Sequence, residues 1–248
     1  MYRSNGKPLI SGFGGFGFVK VYNSFNKNDN IKTKLECDSL TISKKEFDVG
    51  MNSFLKFRLI GDTRDNEPAP NTGMWTEILG EWYAKLIRSD YNFLRLAVTD
   101  RRYFQIFKKL VDANRIFFEN IPGNPPFYML YPYGSSVKAD EGLGGYRSLR
   151  GVFKNRYIGT YKIFMNMELR YKFYEFSMLN QNFYLATNLF YNVGRVWYDE
   201  SLNGLSNLHS GKGIGLHVAW NENFIVYGEI GYSKEAKSQL YIDIDYLF

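Results

Sequence analysis

A period of two in residue character runs through most of this chain, and it decides what the chain can fold into. In the last segment Leu240, Ile242, Ile244, Tyr246 and Phe248 share one face, while Gln239, Tyr241, Asp243 and Asp245 share the other. Between Ile163 and Phe173, the set Ile163, Met165, Met167, Leu169, Tyr171 and Phe173 alternates with Phe164, Asn166, Glu168, Arg170 and Lys172. Successive side chains of a strand point to opposite faces, whereas a helix would mix these sets around its axis. Ile214, Leu216, Val218 and Trp220 repeat the pattern against Gly213, Gly215, His217 and Ala219. The Asn-Glu-Asn turn at 221–223 then leads into another strand through Gly231, as a tight hairpin does.

Read in this way, the chain carries eleven strands, near 9–22, 31–42, 48–60, 73–87, 91–107, 112–121, 160–173, 182–197, 211–220, 223–232 and 238–248. The connections after residue 122 alternate in length: a very long one at 122–159, a short turn, a longer loop at 198–210, a three-residue turn and a short last loop. Long loops on one rim and short turns on the other are the habit of membrane barrels.

Composition fixes the solvent that these strands meet. Of 248 residues, 18% are aromatic, with 20 Tyr and 21 Phe, yet the mean hydropathy is only -0.34. A barrel with one face in lipid and one in water has this combination, and in water such an aromatic outer face would be an aggregation hazard. No run approaches the roughly 18 to 20 apolar residues of a transmembrane helix. The opening MYRSNGKPLISGFGG has no basic and apolar export-signal pattern. The fold class expected is therefore all-β, an antiparallel transmembrane β-barrel integral to a bacterial outer membrane, with membrane lipid and lipopolysaccharide as neighbours. Cys37 has no second cysteine to pair with, and two His with one Cys make no zinc set, so no cofactor or metal is expected. The net charge of +6 is dispersed among acidic residues rather than blocked, so no nucleic-acid partner is expected.

An odd count of antiparallel crossings puts the two chain ends on opposite sides of the membrane, whereas single-chain bacterial barrels have even numbers. An open strand edge in lipid also leaves backbone groups unpaired. The expectation is a single barrel domain over 1–248 that lacks N-terminal strands, or one completed by another chain.

The most specific string lies in the long connection: Glu141-Gly-Leu-Gly-Gly-Tyr-Arg-Ser-Leu-Arg-Gly151, then Val152-Phe153 and Asn155-Arg156-Tyr157. So long a loop between strands is uncommon and usually functional. With Asp62-Thr63-Arg64-Asp65-Asn66, Glu168-Leu169-Arg170 and Phe190-Tyr-Asn192-Val-Gly194, it resembles the BamA/TamA-type outer-membrane assembly and translocation superfamily, most nearly its Bacteroidetes-like members. The resemblance implies a sixteen-stranded barrel whose C-terminal part this chain supplies, five strands following the loop. It implies that 122–159 folds into the lumen, with Arg147, Leu149, Arg150, Gly151 and Phe153 as its motif, and that Arg150 is held there by Glu168 and Asn192. Two positions depart from the family pattern. Val152 stands where an aromatic usually follows Arg-Gly, and Asn192 where an Asp is usual, so any lock would rest more on Glu168.

Phe248 with Tyr246 resembles the C-terminal signal by which barrels are recognised for insertion. Asp62, Arg64 and Asp65, beside Pro and Gly, read as a hydrogen-bonded turn rather than a catalytic pair. His209 in a predicted loop and His217 on a lumen-facing position have no Ser or acid partner at a recognisable spacing, so no catalytic residues and no enzyme are expected. The resemblance implies insertion or translocation of client outer-membrane proteins, with periplasmic or lipoprotein subunits as partners. The alternative is a plugged pore, or an anchor for a separate N-terminal domain.

Overall fold

The computed structural model describes residues 9–21, 50–135, 142–198, 207–221 and 224–248. They form one all-antiparallel sheet of ten strands in strict chain order: β1 (Leu9–Val21), β2 (Gly50–Asp62), β3 (Gly73–Tyr83), β4 (Phe93–Phe107), β5 (Leu110–Asn120), β6 (Tyr161–Met178), β7 (Gln181–Trp197), β8 (His209–Trp220), β9 (Phe224–Ser233) and β10 (Gln239–Ile244). Ten of the eleven predicted strands are thus described. The other, near 31–42, lies outside the described residues, as does Cys37, and β1 pairs directly with β2 from Leu9↔Asp62 to Val21↔Gly50. Among the described residues β1 and β10 each have one partner strand and do not pair with each other.

The alternation of the sequence becomes two faces. The outer face exposes Leu55, Phe57, Leu59, Ile78, Trp82, Val98, Ile116, Leu189, Ile214, Leu216, Ile230 and Ile242. The inner face buries polar and charged groups, among them Glu77, Glu81, Arg95, Arg101, Arg115, Glu119, Lys162, Glu168, Arg170, His217 and Glu229. This apolar-out, polar-in arrangement is the reverse of a soluble β-protein and suits a lipid surround. Among the described residues no helix is long and apolar enough to cross a membrane.

One rim carries the connections 63–72, 108–109 and 179–180 and the turn that follows Trp220. Leu179 and Asn180 both have positive φ, 52° and 58°, as a two-residue turn needs to match the twist of its strands. The connection at 121–160 lies at the opposite rim and returns over the inner face. Leu143, Leu149 and Val152 pack there with Leu79, Ala97, Phe117, Tyr133 and Phe164 into one buried cluster.

The structure corrects the reading of the chain's last residues. Tyr246 and Phe248 were expected to continue the outward set of Leu240, Ile242 and Ile244. Instead β10 ends at Ile244, and Asp245 takes a φ of 68°, a left-handed conformation that breaks the extended alternation. The Asp245 N–H donates to the Ile225 carbonyl at 2.8 Å, and the residues beyond turn inward. Tyr246 lies over the Arg170 guanidinium at 4.2 Å and stacks on His217 at 4.8 Å. Phe248 is buried beside Tyr103 and Ala113, and its main-chain oxygen accepts from Arg170 Nη2 at 3.0 Å. A cation offering both a ring contact and a hydrogen bond draws in aromatics that parity alone would leave outside.

Candidate functional site

The inner wall under the loop is assembled by register. One row crosses the sheet as Asp62, Trp75, Arg101, Arg115, Asn166, Asn192, Gly211 and Ser233, each opposite the next. A neighbouring row runs Glu168, Phe190, Gly213, Gly231, and the one beyond it Arg170, Asn188, Gly215, Glu229, Tyr241. On β8 and β9 the inward positions nearest the loop are glycines, which leaves a trough one side chain deep.

The loop tip fills that trough. Gly151 has a φ of 92°, and a Cβ there would lie 2.8 Å from the Tyr232 backbone. A Cβ on Gly211 would strike the Arg150 carbonyl oxygen, and one on Gly231 would come within 2.7 Å of the Gly151 nitrogen. The Gly151 N–H donates to the Tyr241 hydroxyl at 2.8 Å, and Ser233 Oγ donates to the Gly151 carbonyl at 2.7 Å.

Arg150 is completely buried at the centre. Its Nη1 donates to both Glu229 oxygens, at 3.0 and 2.9 Å. Its Nη2 lies 2.6 Å from Glu168 Oε1 and donates to Asn192 Oδ1 at 3.2 Å. The guanidinium carbon sits over the Phe190 ring, 3.7 Å from its centroid. Burial on its own would lower the Arg150 pKa, but the two carboxylates outweigh it and hold it above the ordinary value. Both Glu168 and Glu229 are shared: Arg170 Nε donates to Glu168 Oε2 at 2.8 Å, Asn188 Nδ2 donates to Glu229 at 2.7 Å, and His217 Nε2 lies 3.6 Å from Glu229. Charge-assisted bonds from one planar guanidinium to several partners fix orientation as well as position.

A second anchor holds the descending limb of the loop. Arg95 donates to the carbonyls of Met129 and of Pro132, the latter at 3.0 Å, and Glu119 accepts from the Gly134 N–H at 2.6 Å. Lys162 closes an ion pair on Glu119 with both side chains buried.

The Omp85 superfamily domain matches residues 14–226. The chain belongs to the Omp85 superfamily. Among solved structures it is similar to BamA from Haemophilus ducreyi lacking POTRA domains 1-3, with a TM-score of 0.61 at 15% identity over 96% of this chain and 51% of that one. That likeness is one of fold, and the chain spans about half the length of that relative. No curated protein matches it.

The Omp85 chain brings together five of the expected residues, Leu149, Arg150, Gly151, Glu168 and Asn192, and adds Glu229. The expected Arg150 set lacked this residue, although Glu229 stands at an inward position of β9. Val152 takes the buried place and Phe153 points outward, half exposed: the apolar slot falls directly after Gly151. The Arg147 carbonyl accepts from Arg115, and its guanidinium lies over the Tyr146 ring at 4.9 Å. Glu141, at the head of the string, lies outside the described residues.

Asp62, Arg64 and Asp65 form a turn held by their own bonds. Asp62 accepts from the Arg64 main-chain N–H at 3.0 Å and from its Nε and Nη2 at 3.1 Å. Burial would lower the Arg64 pKa, but the hydrogen bond to Asp62 together with the charges of Tyr103, Asp62 and Glu67 outweighs it and leaves it raised. Asp65 Oδ1 accepts from the N–H groups of Asn66, Asn71 and Thr72. His209 opens β8 rather than standing in a loop, with its Nδ1 2.7 Å from the Tyr157 hydroxyl. Among the described residues no three His, Cys, Asp or Glu side chains are grouped to hold a metal ion.

Proposed function

We propose that this Omp85 chain forms the C-terminal part of an integral bacterial outer-membrane barrel that inserts or translocates client proteins, with Arg150 as the pin that seats its long loop in the lumen. The observation that carries the reading is the fully buried Arg150 between Glu168 on β6 and Glu229 on β9. A buried cation bound to strands on both sides of β7 and β8 fixes the loop to the wall and the strands to one another. The role is mechanical and involves no bond-making chemistry. The outer apolar face would meet membrane lipid and lipopolysaccharide. Client barrels and periplasmic or lipoprotein subunits would be the protein partners.

The test is to reconstitute the full-length protein in liposomes and follow the folding of an unfolded outer-membrane client by its heat-modifiable gel mobility. Acceleration over empty liposomes, reduced by Arg150→Ala, is expected. A client that folds no faster than with lipid alone overturns the proposal. The packing of Leu143, Leu149 and Val152 on the inner wall favours a second reading, a plugged pore or anchor barrel without insertase activity. That reading expects Arg150→Ala to raise single-channel conductance while client folding stays at the rate of empty liposomes.

A further inference from the structure

Arg101 on β4 and Arg115 on β5 stand directly opposite each other in the ladder, both on the inner face and both more than nine-tenths buried. Like charges at directly opposed positions repel, since their Cβ atoms lie only about 4.5–5.5 Å apart. A buried charge normally finds a counter-charge. Among the described residues neither arginine lies within ion-pair distance of a carboxylate. Arg115 donates to Asn166 Oδ1 at 2.9 and 2.7 Å and to the Arg147 carbonyl. The Arg101 Cζ lies over the Trp75 ring, 4.2 Å from its centroid, and the buried Nε has no hydrogen-bond acceptor. Glu77, one row away on β3, lies 3.9 Å from Arg58.

Both guanidiniums line a cavity of about 390 Å³, with Thr99 on the same wall and Arg64 and Arg147 also at its edge. That size falls within the roughly 300–1,000 Å³ of ligand clefts. Glu67, Asp243 and Asp245 also border it, none of them in ion-pair contact with Arg101 or Arg115.

We propose that Arg101 and Arg115 form an anion site facing this cavity that takes a phosphate-class oxyanion, either free phosphate or the phosphoryl headgroup of an anionic lipid. A tetrahedral dianion accepts from the Arg101 guanidinium and from the Arg115 Nη1, which its bonds to Asn166 and the Arg147 carbonyl do not use, and removes their mutual repulsion. This site adjoins the Arg150 anchor through Asn166, which accepts from Arg115 and donates to Asn192 at 2.7 Å, but it uses other arginines and does not depend on the insertase reading.

The test is equilibrium dialysis of the full-length protein against radiolabelled orthophosphate in a maltoside detergent at fixed ionic strength. One saturable site is expected, displaced by sulfate and not by chloride, and weakened at least about tenfold in Arg101→Gln, the scale of one lost charge-assisted pair. Arg88→Gln, at an exposed loop position, should bind as the parent does. If Arg101→Gln loses its heat-modifiable folded band, Arg101→Lys serves instead: it keeps the charge, loses the fork and should bind several-fold more weakly. Dialysis of protein in phosphatidylcholine and phosphatidylglycerol vesicles separates the sources. Binding of label in both assigns the site to free phosphate, and loss of label only in phosphatidylglycerol assigns it to the lipid headgroup. No saturable binding in detergent, or unchanged affinity in both Arg101 variants, overturns the proposal.

Discussion

Two walls of the same inner face treat buried arginine in opposite ways. On β6 to β9, Arg150 meets two carboxylates, an amide oxygen and an aromatic face, in a trough cleared by glycines. On β4 and β5, Arg101 and Arg115 oppose each other over an open cavity with no carboxylate in reach among the described residues. The side chain is the same and the burial is similar, so the difference lies in what surrounds it. Where the counter-charges come from the protein, the guanidinium fastens a segment. Where they do not, the wall is left charged and repulsive until something from solution arrives.

Substitutions on each wall should therefore differ in sign as well as size. The largest effect is expected from Arg150→Ala, which leaves two buried carboxylates to the single charge of Arg170 at a cost of about 3–5 kcal/mol. The heat-modifiable unfolding midpoint should fall, and limited proteolysis should open within 122–160. An uncleaved loop would break the contrast. Next comes Gly211→Val, whose side chain occupies the place of the Arg150 carbonyl and should cost about 1–3 kcal/mol by overpacking. Gly228→Val, with nothing near its Cβ, should leave the midpoint almost unmoved.

A smaller and more discriminating effect is expected from Asn192→Asp. It adds a third carboxylate to a charge balance already closed by Arg150 and Arg170 against Glu168 and Glu229, and should cost about 1 kcal/mol. In a Glu229→Gln background the same change should stabilise, with a coupling of roughly 0.5–3 kcal/mol in a double-mutant cycle. Additive midpoints would show that Glu229 and position 192 do not share one cation. The smallest effect belongs to the other wall. In phosphate-free buffer Arg101→Gln should raise stability by about 0.2–1 kcal/mol, since it removes an opposed like charge. A loss comparable with that of Arg150→Ala would erase the distinction between the walls.

Much of the fold was legible in the sequence, because a period of two needs no knowledge of partners. The segment 163–173 has the same inward and outward sets in structure as in sequence, as does Leu240 to Ile244. Where alternation stops is set by tertiary contact, so Tyr246 and Phe248 were assigned to the wrong face: nothing in Asp243-Ile244-Asp245 announces that Arg170, more than 70 residues away in the chain, draws the tail inward. Arg150, Glu168 and Asn192 could be named from a motif, while Glu229 could not, being one inward carboxylate among several until register sets it across from Gly215. The glycines of β8 and β9 read only as small members of an alternating set, and their meaning appears when the Arg150 carbonyl lies against them. The Arg101 and Arg115 pair is invisible in sequence, since only the pairing of β4 with β5 makes two distant residues neighbours.

The seat of Arg150 also carries information about time. Its partners lie 42 and 79 residues further along the chain, at Asn192 and Glu229. Closing such spans in an unfolded chain is entropically costly, while the ladder of neighbouring hairpins brings the same groups together stepwise. The pocket for the guanidinium therefore does not exist until β9 has joined β8. A molecule stalled one hairpin short has an unseated loop open to proteases, and a seated loop certifies that the wall beneath it has been completed.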